Sequence, residues 1–359
     1  MRICAGGDVT LGTNLDRAWQ LGAARALLAK WQRSAEPDSL LAPLRGFFSE
    51  ADVVLLNVEG AIGEGEAPRK CGPKSTSCFA FRQPADAATA LRRVSRDSAQ
   101  VVGNVANNHS HDAGDDGLLQ TLARLDSAGV RVTGADTIAT PVVTPAGDTL
   151  GVLGFYTSSD TPDARDVAGV RRHVARAAAR WPVVIVTMHL GAEGLPAQRT
   201  RNATERFLKN RIDRGNPVAF ADSAFAGGAT MVIGHGPHVL RAAEWRGSRL
   251  ALYSLGNLLT YGPFQLHEPM NRGVVACATI ASRDTVRDVT LASTLQLAPG
   301  VMVADSTQRA WVLVDSLSAL DFPATGVTVD ASGKVGRREQ TVVQEGAPRA
   351  RAKRRRRHP

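Results

Sequence analysis

Three short segments of this 359-residue chain carry histidines directly after apolar stretches that predict β-strands. They are residues 107–109 (Asn-Asn-His), 188–189 (Met-His) and 234–238 (Gly-His-Gly-Pro-His). Asp8 and Glu59 follow two further predicted strands. Imidazole, carboxylate and amide groups are common ligands of divalent metals. Because α/β proteins bind ligands at the carboxyl ends of their strands, we expect these side chains to converge on one metal site, typical of a hydrolase.

Residues 234–238 give the most specific signal. His235 and His238 lie three residues apart, and the intervening Gly and Pro restrict the turn. Both imidazoles would be available to a divalent ion; the alternative is that they only cap nearby backbone groups. His189 ends the apolar run 182–187, and its neighbours Gly191 and Glu193 favour a functional loop over an ordinary strand end.

Residues 106–114 (Ala-Asn-Asn-His-Ser-His-Asp-Ala-Gly) are unusually rich in polar side chains. Such a cluster is costly to bury without partners. The amide oxygen of Asn108 can ligate a metal, and His109 can protonate a leaving group or stabilise developing negative charge. Helix capping explains Asp112 but leaves the rest of the cluster unexplained. We therefore predict catalytic roles for His109 and Asp112.

The remaining candidates carry weaker signals. Asp8 follows two glycines that allow a sharp turn, although a simple turn or helix cap would also place Asp there. Asn57 and Glu59 are two residues apart and can share one strand face. Asn257 lies in a Gly-Asn turn, where it would orient a ligand or only shape the turn.

Apolar runs alternate with helical patterns along the chain, which predicts an α/β fold. We expect one domain over residues 1–322, a poorly defined extension over 323–345 and a disordered basic tail over 346–359. The elements that would position the site are a strand at 2–6, helices at 15–32, 117–128, 167–180 and 205–226 (broken at 215–217), a hairpin at 142–155 and an antiparallel pair at 273–297.

Most of the net charge of +9 comes from the tail. Seven of the 43 Lys and Arg residues lie in the last eleven positions, which leaves 36 basic residues against 34 acidic ones in the rest of the chain. The composition therefore predicts no basic nucleic-acid face. The tail is either solvated and disordered or a contact for an acidic polymer or an anionic membrane surface.

Four cysteines are present. Cys71 and Cys78 flank a polar loop without a zinc-type spacing; a disulfide there is one possibility, and it would need an oxidising compartment. Cys4 and Cys277 lie in apolar runs and are predicted to be inert buried thiols. The chain opens with a predicted strand, and we find no signal peptide or transmembrane segment. Localisation is therefore left open.

Six ordered motifs between residues 2 and 280 resemble the CapA/PgsA family of capsule and poly-γ-glutamate biosynthesis proteins. They are Gly7-Asp8 with Leu11-Gly12, Asn57-Val58-Glu59, residues 106–109 with Asp112, His189 with Glu193, residues 234–238, and Tyr253 to Asn257. That family is similar to the calcineurin-like metallophosphoesterases. The resemblance implies a four-layer α/β/β/α sandwich with two mixed sheets.

The resemblance also implies the residues of the site. The metal ligands would be Asp8, Glu59, Asn108, His189, His235 and His238, with Glu59 and Asn108 placed to bridge two ions of Mn, Fe, Zn or Mg. His109 would lie near the scissile group, and the ligands would be supported by Asn57, Asn107, Glu193 and Asn257. Two positions depart from the phosphoesterase pattern: Thr10 stands where a His is usual, and Glu59 stands where an Asp is usual.

By the same resemblance the protein acts on the cell envelope. Its expected partners are an anionic polymer such as poly-γ-glutamate and other capsule-synthesis proteins, with membrane contact through the basic tail. We expect a metal-dependent, hydrolase-like enzyme. The alternative is a non-catalytic protein that binds or escorts the polymer.

Overall fold

A computed structural model describes residues 1–64, 70–71, 78–209, 211–263 and 266–338. The tail at 346–359, to which we assigned a polymer or membrane contact, lies outside the described residues. None of the described helices combines the length and the apolar character that crossing a membrane requires.

The described residues form seven α-helices and twenty strands. The helices are α1 (Arg17–Trp31), α2 (Pro37–Leu41), α3 (Ala87–Arg92), α4 (Gly114–Ser127), α5 (Val167–Arg180), α6 (Pro217–Ala226) and α7 (Arg309–Asp321). The strands are β1 (Arg2–Leu11), β2 (Val53–Val58), β3 (Ala61–Ile62), β4 (Arg82–Gln83), β5 (Gln100–Asn104), β6 (Val130–Thr133), β7 (Thr140–Val143), β8 (Thr149–Tyr156), β9 (Val184–His189), β10 (Arg206–Phe207), β11 (Ile212–Asp213), β12 (Met231–His235), β13 (Ala243–Arg246), β14 (Arg249–Leu252), β15 (Asn257–Tyr261), β16 (Arg272–Ser282), β17 (Thr285–Leu297), β18 (Val301–Ala304), β19 (Val327–Val329) and β20 (Val335–Arg337).

Two mixed sheets organise these elements, which confirms the predicted α/β class. The larger sheet has the order β18-β17-β16-β1-β2-β5-β6, with β15 also paired to β1. The smaller sheet has the order β13-β14-β12-β9-β8-β7. In each sheet the central strands run parallel and antiparallel strands lie at one or both ends.

Three apolar clusters hold the sheets and helices together. One lies between the two sheets, where β1, β2, β5 and β16 pack against β8, β9, β12 and β14. A second joins the other face of the larger sheet to α1, α2, α3 and α4. The third joins the other face of the smaller sheet to α5 and α6. Because successive strand residues point to opposite faces, Val53 and Leu55 enter the first cluster while Val54 and Leu56 enter the second.

Strand β1 is longer than predicted and carries Asp8 within it. The strand continues to Leu11, with irregular pairing on either side of Asp8. A β-carbon on Gly7 would lie 1.9 Å from the carbonyl oxygen of Gly256. Glycine is therefore required at this bulge for the two backbones to approach, and the bulge sets the direction of the Asp8 side chain.

The helix predicted over 205–226 is wrong in its first half. Residues 206–207 and 212–213 form the small β10–β11 hairpin, and α6 begins only at Pro217. Long-range contacts override the local helical pattern. Glu205 makes a bidentate ion pair with buried Arg241 at 2.7 and 2.8 Å, and Arg214 donates to the Gly191 carbonyl. Among the described residues, the predicted helix is therefore present only from Pro217 onward.

The prediction of free thiols at Cys4 and Cys277 is also wrong. These residues face each other on the antiparallel strands β1 and β16, with Cα atoms 4.0 Å apart, and form a disulfide. Cys71 and Cys78 form the second disulfide, which confirms one of the two alternatives for that pair. Beyond Pro323, β19 and β20 form a hairpin whose Val327 and Val335 join the inter-sheet cluster; the domain boundaries remain a prediction.

Candidate metal centre

The register of the two sheets brings the polar residues to one end of the molecule. In the larger sheet Asp8 lies opposite Asn57 of β2 and Asn257 of β15. In the smaller sheet His235 lies opposite His189. Asn57, His189 and His235 lie at the carboxyl ends of their strands, whereas Asp8 lies at the bulge within β1 and Asn257 begins β15. Loops at this end of the sheets can add further side chains. The structure thus brings these sequence-predicted residues to one region, and their roles stay a prediction.

Asp8, Glu59 and His238 form the tightest group. One ligand atom from each lies within 4.8 Å of the others. His238 Nδ1 is 3.0 Å from Asp8 Oδ2, and His238 Nε2 is 3.5 Å from Glu59 Oε1. His238 reaches this position through a left-handed backbone conformation, with φ of 57°. Two buried carboxylates beside an imidazole are a suitable donor set for a divalent cation.

Buried polar atoms without hydrogen-bond partners also support a divalent-cation site at this position. Four buried atoms of the predicted ligands have no hydrogen-bond partner among the described residues: Asp8 Oδ2, Glu59 Oε1, Asn108 Oδ1 and His189 Nε2. Leaving one such group unsatisfied costs about 1–3 kcal/mol. Asp8 Oδ2 and Glu59 Oε1, together with a ring nitrogen of His238, fit a divalent metal ion, which would satisfy both oxygens at once.

Asn257 orients His238. The Nδ1 atom of His238 lies 3.0 Å from Asn257 Oδ1 as well as from Asp8 Oδ2, and only the contact with Asn257 has hydrogen-bond geometry. The amide nitrogen of Asn257 donates to the carbonyl of Met270 at 2.9 Å. Asn257 thus holds the imidazole while Asp8 Oδ2 stays free.

Asn57 orients both Asp8 and His189. Its amide nitrogen donates to Asp8 Oδ1 at 2.7 Å and lies 3.1 Å from His189 Nδ1. Its amide oxygen accepts from Asn107 Nδ2 at 3.2 Å, which fixes the direction of the Asn57 amide. His189 Nδ1 is therefore an acceptor, and the ring proton lies on Nε2, 3.8 Å from Glu59 Oε1. His189 offers a hydrogen-bond donor there rather than a free lone pair.

His235 stands apart from the group. Its Nε2 lies 3.0 Å from the carbonyl oxygen of Gly6, and its Nδ1 lies 3.0 Å from the hydroxyl of Thr187. Both ring nitrogens are thus engaged by the protein, and the side chain is fully buried. Through its contact with Gly6, His235 links the smaller sheet to β1 of the larger sheet. It offers no free ring nitrogen to a metal ion.

His109 and Asp112 form a second, adjacent pair. His109 Nδ1 lies 2.6 Å from Asp112 Oδ2, and the same oxygen accepts the backbone N–H of Phe81 at 2.7 Å. Lys70 forms an ion pair with the other oxygen, Asp112 Oδ1. The carboxylate therefore holds the His109 proton on Nδ1 and leaves Nε2 as the unbound ring nitrogen.

The two groups meet at a cavity of about 250 Å³. It is lined by Glu59, Phe79, Phe81, His109, Glu193, His238 and Met270. Glu193 is held by Arg214, whose Nη2 lies 3.1 Å from its Oε1. Larger cavities lie beside α1 and beside β6, but within the described part of the chain no cluster of metal-ligating side chains lines them.

Sequence reasoning missed several residues of this site. Lys70, Arg214 and Met270 carry no motif of their own, since each reaches the site through a loop whose path depends on tertiary contacts. The proximity of Lys70 to a cysteine pair was the one local signal that could have drawn attention to it.

A comparison with known protein families matches residues 2–261 to the bacterial capsule synthesis proteins, PGA_cap. The matched region contains every residue of the metal group and the His109–Asp112 pair. The chain belongs to this capsule synthesis family. The family resemblance predicted from the motifs is confirmed. No curated protein matches the chain.

In this capsule synthesis protein, electrostatics set the protonation of the metal group. Burial would raise the pKa of Asp8, but the charge of His238, whose Nδ1 lies 3.0 Å from Asp8 Oδ2, outweighs burial and lowers that pKa. Burial raises the pKa of Glu59 well above its usual value. Burial would lower the pKa of His238, but Glu59 and Asp8 hold it well above its usual value. Without a metal, a proton on His238 therefore supplies the positive charge between the carboxylates.

This arrangement predicts that metal binding releases protons. An ion must displace the His238 proton, so its affinity should rise with pH up to the raised pKa of His238 and then level off. Near neutral pH we expect about one proton from His238 per Mn²⁺ bound, with a further contribution from Glu59. Calorimetric titration in buffers of different ionisation enthalpy measures this number. His111→Ala, which removes an exposed imidazole from the same loop, is the control; heats independent of the buffer would contradict the prediction.

Proposed function

We propose that the chain is a metal-dependent hydrolase of capsule or related envelope-polymer synthesis, acting on a phosphoester or γ-glutamyl bond. The observation that carries the proposal is the buried Asp8–Glu59–His238 group beside the His109–Asp112 pair, both opening on one cavity. The order of helices, larger sheet, smaller sheet and helices supports the four-layer arrangement of the metallophosphoesterases.

Asp8, Glu59 and His238 would hold the ion. When bound, a divalent cation polarises the scissile group and lowers the pKa of water. Thr10 is buried, and its hydroxyl donates to the Glu59 carbonyl at 2.9 Å, at a position where the phosphoesterases usually have a His ligand. Together with the engaged ring of His235, this favours one ion over two.

The other residues would handle protons and charge. Burial lowers the pKa of His109, with Asp112 opposing the shift, so the imidazole is neutral at neutral pH. Its Nε2 can accept a proton from the attacking water and return it to the leaving group. The Nε2–H of His189 can donate to an oxygen that becomes negative during the reaction. Phe79, Phe81 and Met270 would exclude water from this step.

The setting and partners are also part of the proposal. Two disulfides favour an oxidising compartment, which supports action in the cell envelope. An anionic polymer such as poly-γ-glutamate and other capsule-synthesis proteins would be its partners. The basic tail would add contact with the polymer or with the membrane surface.

The test is a substrate panel with the full chain. Protein loaded with Mn²⁺, Fe²⁺, Zn²⁺ or Mg²⁺ should hydrolyse at least one member of a set of phosphodiesters, phosphomonoesters and γ-glutamyl peptides, and a chelator should abolish the turnover. Activity that survives complete metal removal would contradict the proposal. Metal binding without turnover on any member would favour the non-catalytic alternative, a protein that binds or escorts the polymer.

A further inference from the structure

We propose that Lys70 is a positioning residue for His109, that it acts through Asp112, and that the Cys71–Cys78 disulfide holds it in place. The inference rests on the proposed function in one respect: it assumes that His109 carries the proton in catalysis. No motif of the sequence assigns a role to Lys70, and neither the metal group nor the family match requires one.

Lys70 is tied to both ends of the turn that carries His109. Its ammonium group donates to the carbonyl of Asn108 at 2.9 Å and pairs with the carboxylate of Asp112. The Asp112 side chain is fully buried, while the Lys70 side chain is about one-third exposed. A buried carboxylate needs compensation for its lost hydration, and Lys70 supplies the one full positive charge among its described contacts.

The two carboxylate oxygens of Asp112 have different partners, and this explains the role of Lys70. Oδ1 is occupied by Lys70, and Oδ2 accepts from His109 Nδ1 at 2.6 Å and from the Phe81 backbone at 2.7 Å. With both oxygens held, the carboxylate cannot turn away from the imidazole. His109 therefore keeps its proton on Nδ1, and its ring is fixed against Phe81, whose centroid is 4.6 Å away.

The disulfide connects Lys70 to a well-anchored segment. Lys70 immediately precedes Cys71, and Cys78 immediately precedes Phe79 of the cavity wall. Beyond Phe79 the chain is held by the backbone bond from Ala61 to Phe81 and by the pairing of β3 with β4. The covalent link transmits this anchoring to Lys70. A dithiol reductant that cleaves the bond, leaving two thiols and its own cyclic disulfide, would remove the tether.

The experiment compares Lys70→Ala, Lys70→Arg and the double variant Cys71→Ala/Cys78→Ala in the full chain. Lys334→Ala removes an exposed lysine elsewhere and serves as the charge control. With histidine labelled by ¹⁵N, the Nδ1-bound proton of His109 should give a resolved downfield signal in the wild type, assigned by its absence in His109→Ala. Thermal unfolding verifies that each variant is folded.

We expect Lys70→Ala and the double cysteine variant to lose this signal through exchange with water, whereas Lys70→Arg and Lys334→Ala retain it. On a substrate that the wild type hydrolyses, kcat should fall by about 10- to 100-fold in the first two variants, with KM and the number of bound ions unchanged. An unchanged signal in folded Lys70→Ala would overturn the proposal. If the wild type shows no turnover, the hydrolase assignment fails, and the spectroscopic comparison still decides the role of Lys70.

Discussion

Glu59→Gln is expected to weaken Mn²⁺ binding by roughly a hundredfold or more, because even outer partners of metal ligands change affinity by 10- to 100-fold. Glu59 is almost fully buried, and its Oε1 lies 3.5 Å from His238 and 3.8 Å from His189 without a hydrogen bond. The substitution keeps the size of the side chain and removes its charge. Calorimetric titration with Mn²⁺ measures the change in affinity.

The stability of the same variant separates a metal ligand from a structural carboxylate. Burial disfavours the charged form of Glu59, so a neutral amide there should leave the melting temperature of the metal-free protein unchanged or raise it. The wild type should gain about 2.7 kcal/mol of stability at an ion concentration of one hundred times Kd, and the variant should lose this gain. Glu64→Gln, at an exposed position just after β3, is the control. Wild-type Mn²⁺ affinity in Glu59→Gln would refute the assignment.

His109→Ala is expected to reduce kcat by about 10²- to 10⁴-fold, the usual contribution of a general acid–base group. Because His109 is not a member of the Asp8–Glu59–His238 group, the number of bound ions and their affinity should stay at the wild-type level. Asp112→Asn should produce a similar loss, since the Nδ1 proton of His109 would lose its charged acceptor. Steady-state kinetics on the substrate found in the panel, with metal analysis of each variant, measures both quantities.

The neighbouring imidazole provides the matched control for this prediction. His111 lies in the same loop, belongs to the exposed residues, and its ring pairs with the exposed Asp115. His111→Ala should therefore keep the wild-type kcat. Equal losses in His109→Ala and His111→Ala would point to disruption of the loop instead of a proton-transfer role for His109.

The strand-end argument found the site because polar residues after apolar runs are placed by the sheet itself. Asp8 and His238 are examples: Asp8 belongs to the larger sheet, His238 follows a strand of the smaller sheet, and the two side chains lie side by side. His235 shows that a position at a strand end does not make a histidine available to a metal. It shares a motif with His238, yet its partners Gly6 and Thr187 come from distant parts of the chain and engage both of its nitrogens. No local pattern distinguishes a free imidazole from one already bound.

The wrong predictions about the fold also arise from contacts between residues far apart in the sequence. Residues 205–217 have a helical pattern, but the ion pair between Glu205 and Arg241 joins positions 36 residues apart and imposes a hairpin. Cys4 and Cys277 lie in unremarkable apolar runs and pair only because β1 and β16 are neighbours. Contacts between distant segments decided these features, and a single sequence does not state which distant segments meet.

The position of β16 has a consequence for how the molecule is divided. The family match ends at residue 261, yet β16 begins at Arg272, pairs with the first four residues of β1 and is covalently joined to it through Cys4 and Cys277. In a fragment ending at 261, β2 would still pair with one side of the strand before Asp8, but the backbone groups that face β16 would lose their partners and form an edge prone to aggregation. The segment shared with the family is thus not an autonomous folding unit in this chain, and the strand that carries the first metal ligand depends on residues beyond it.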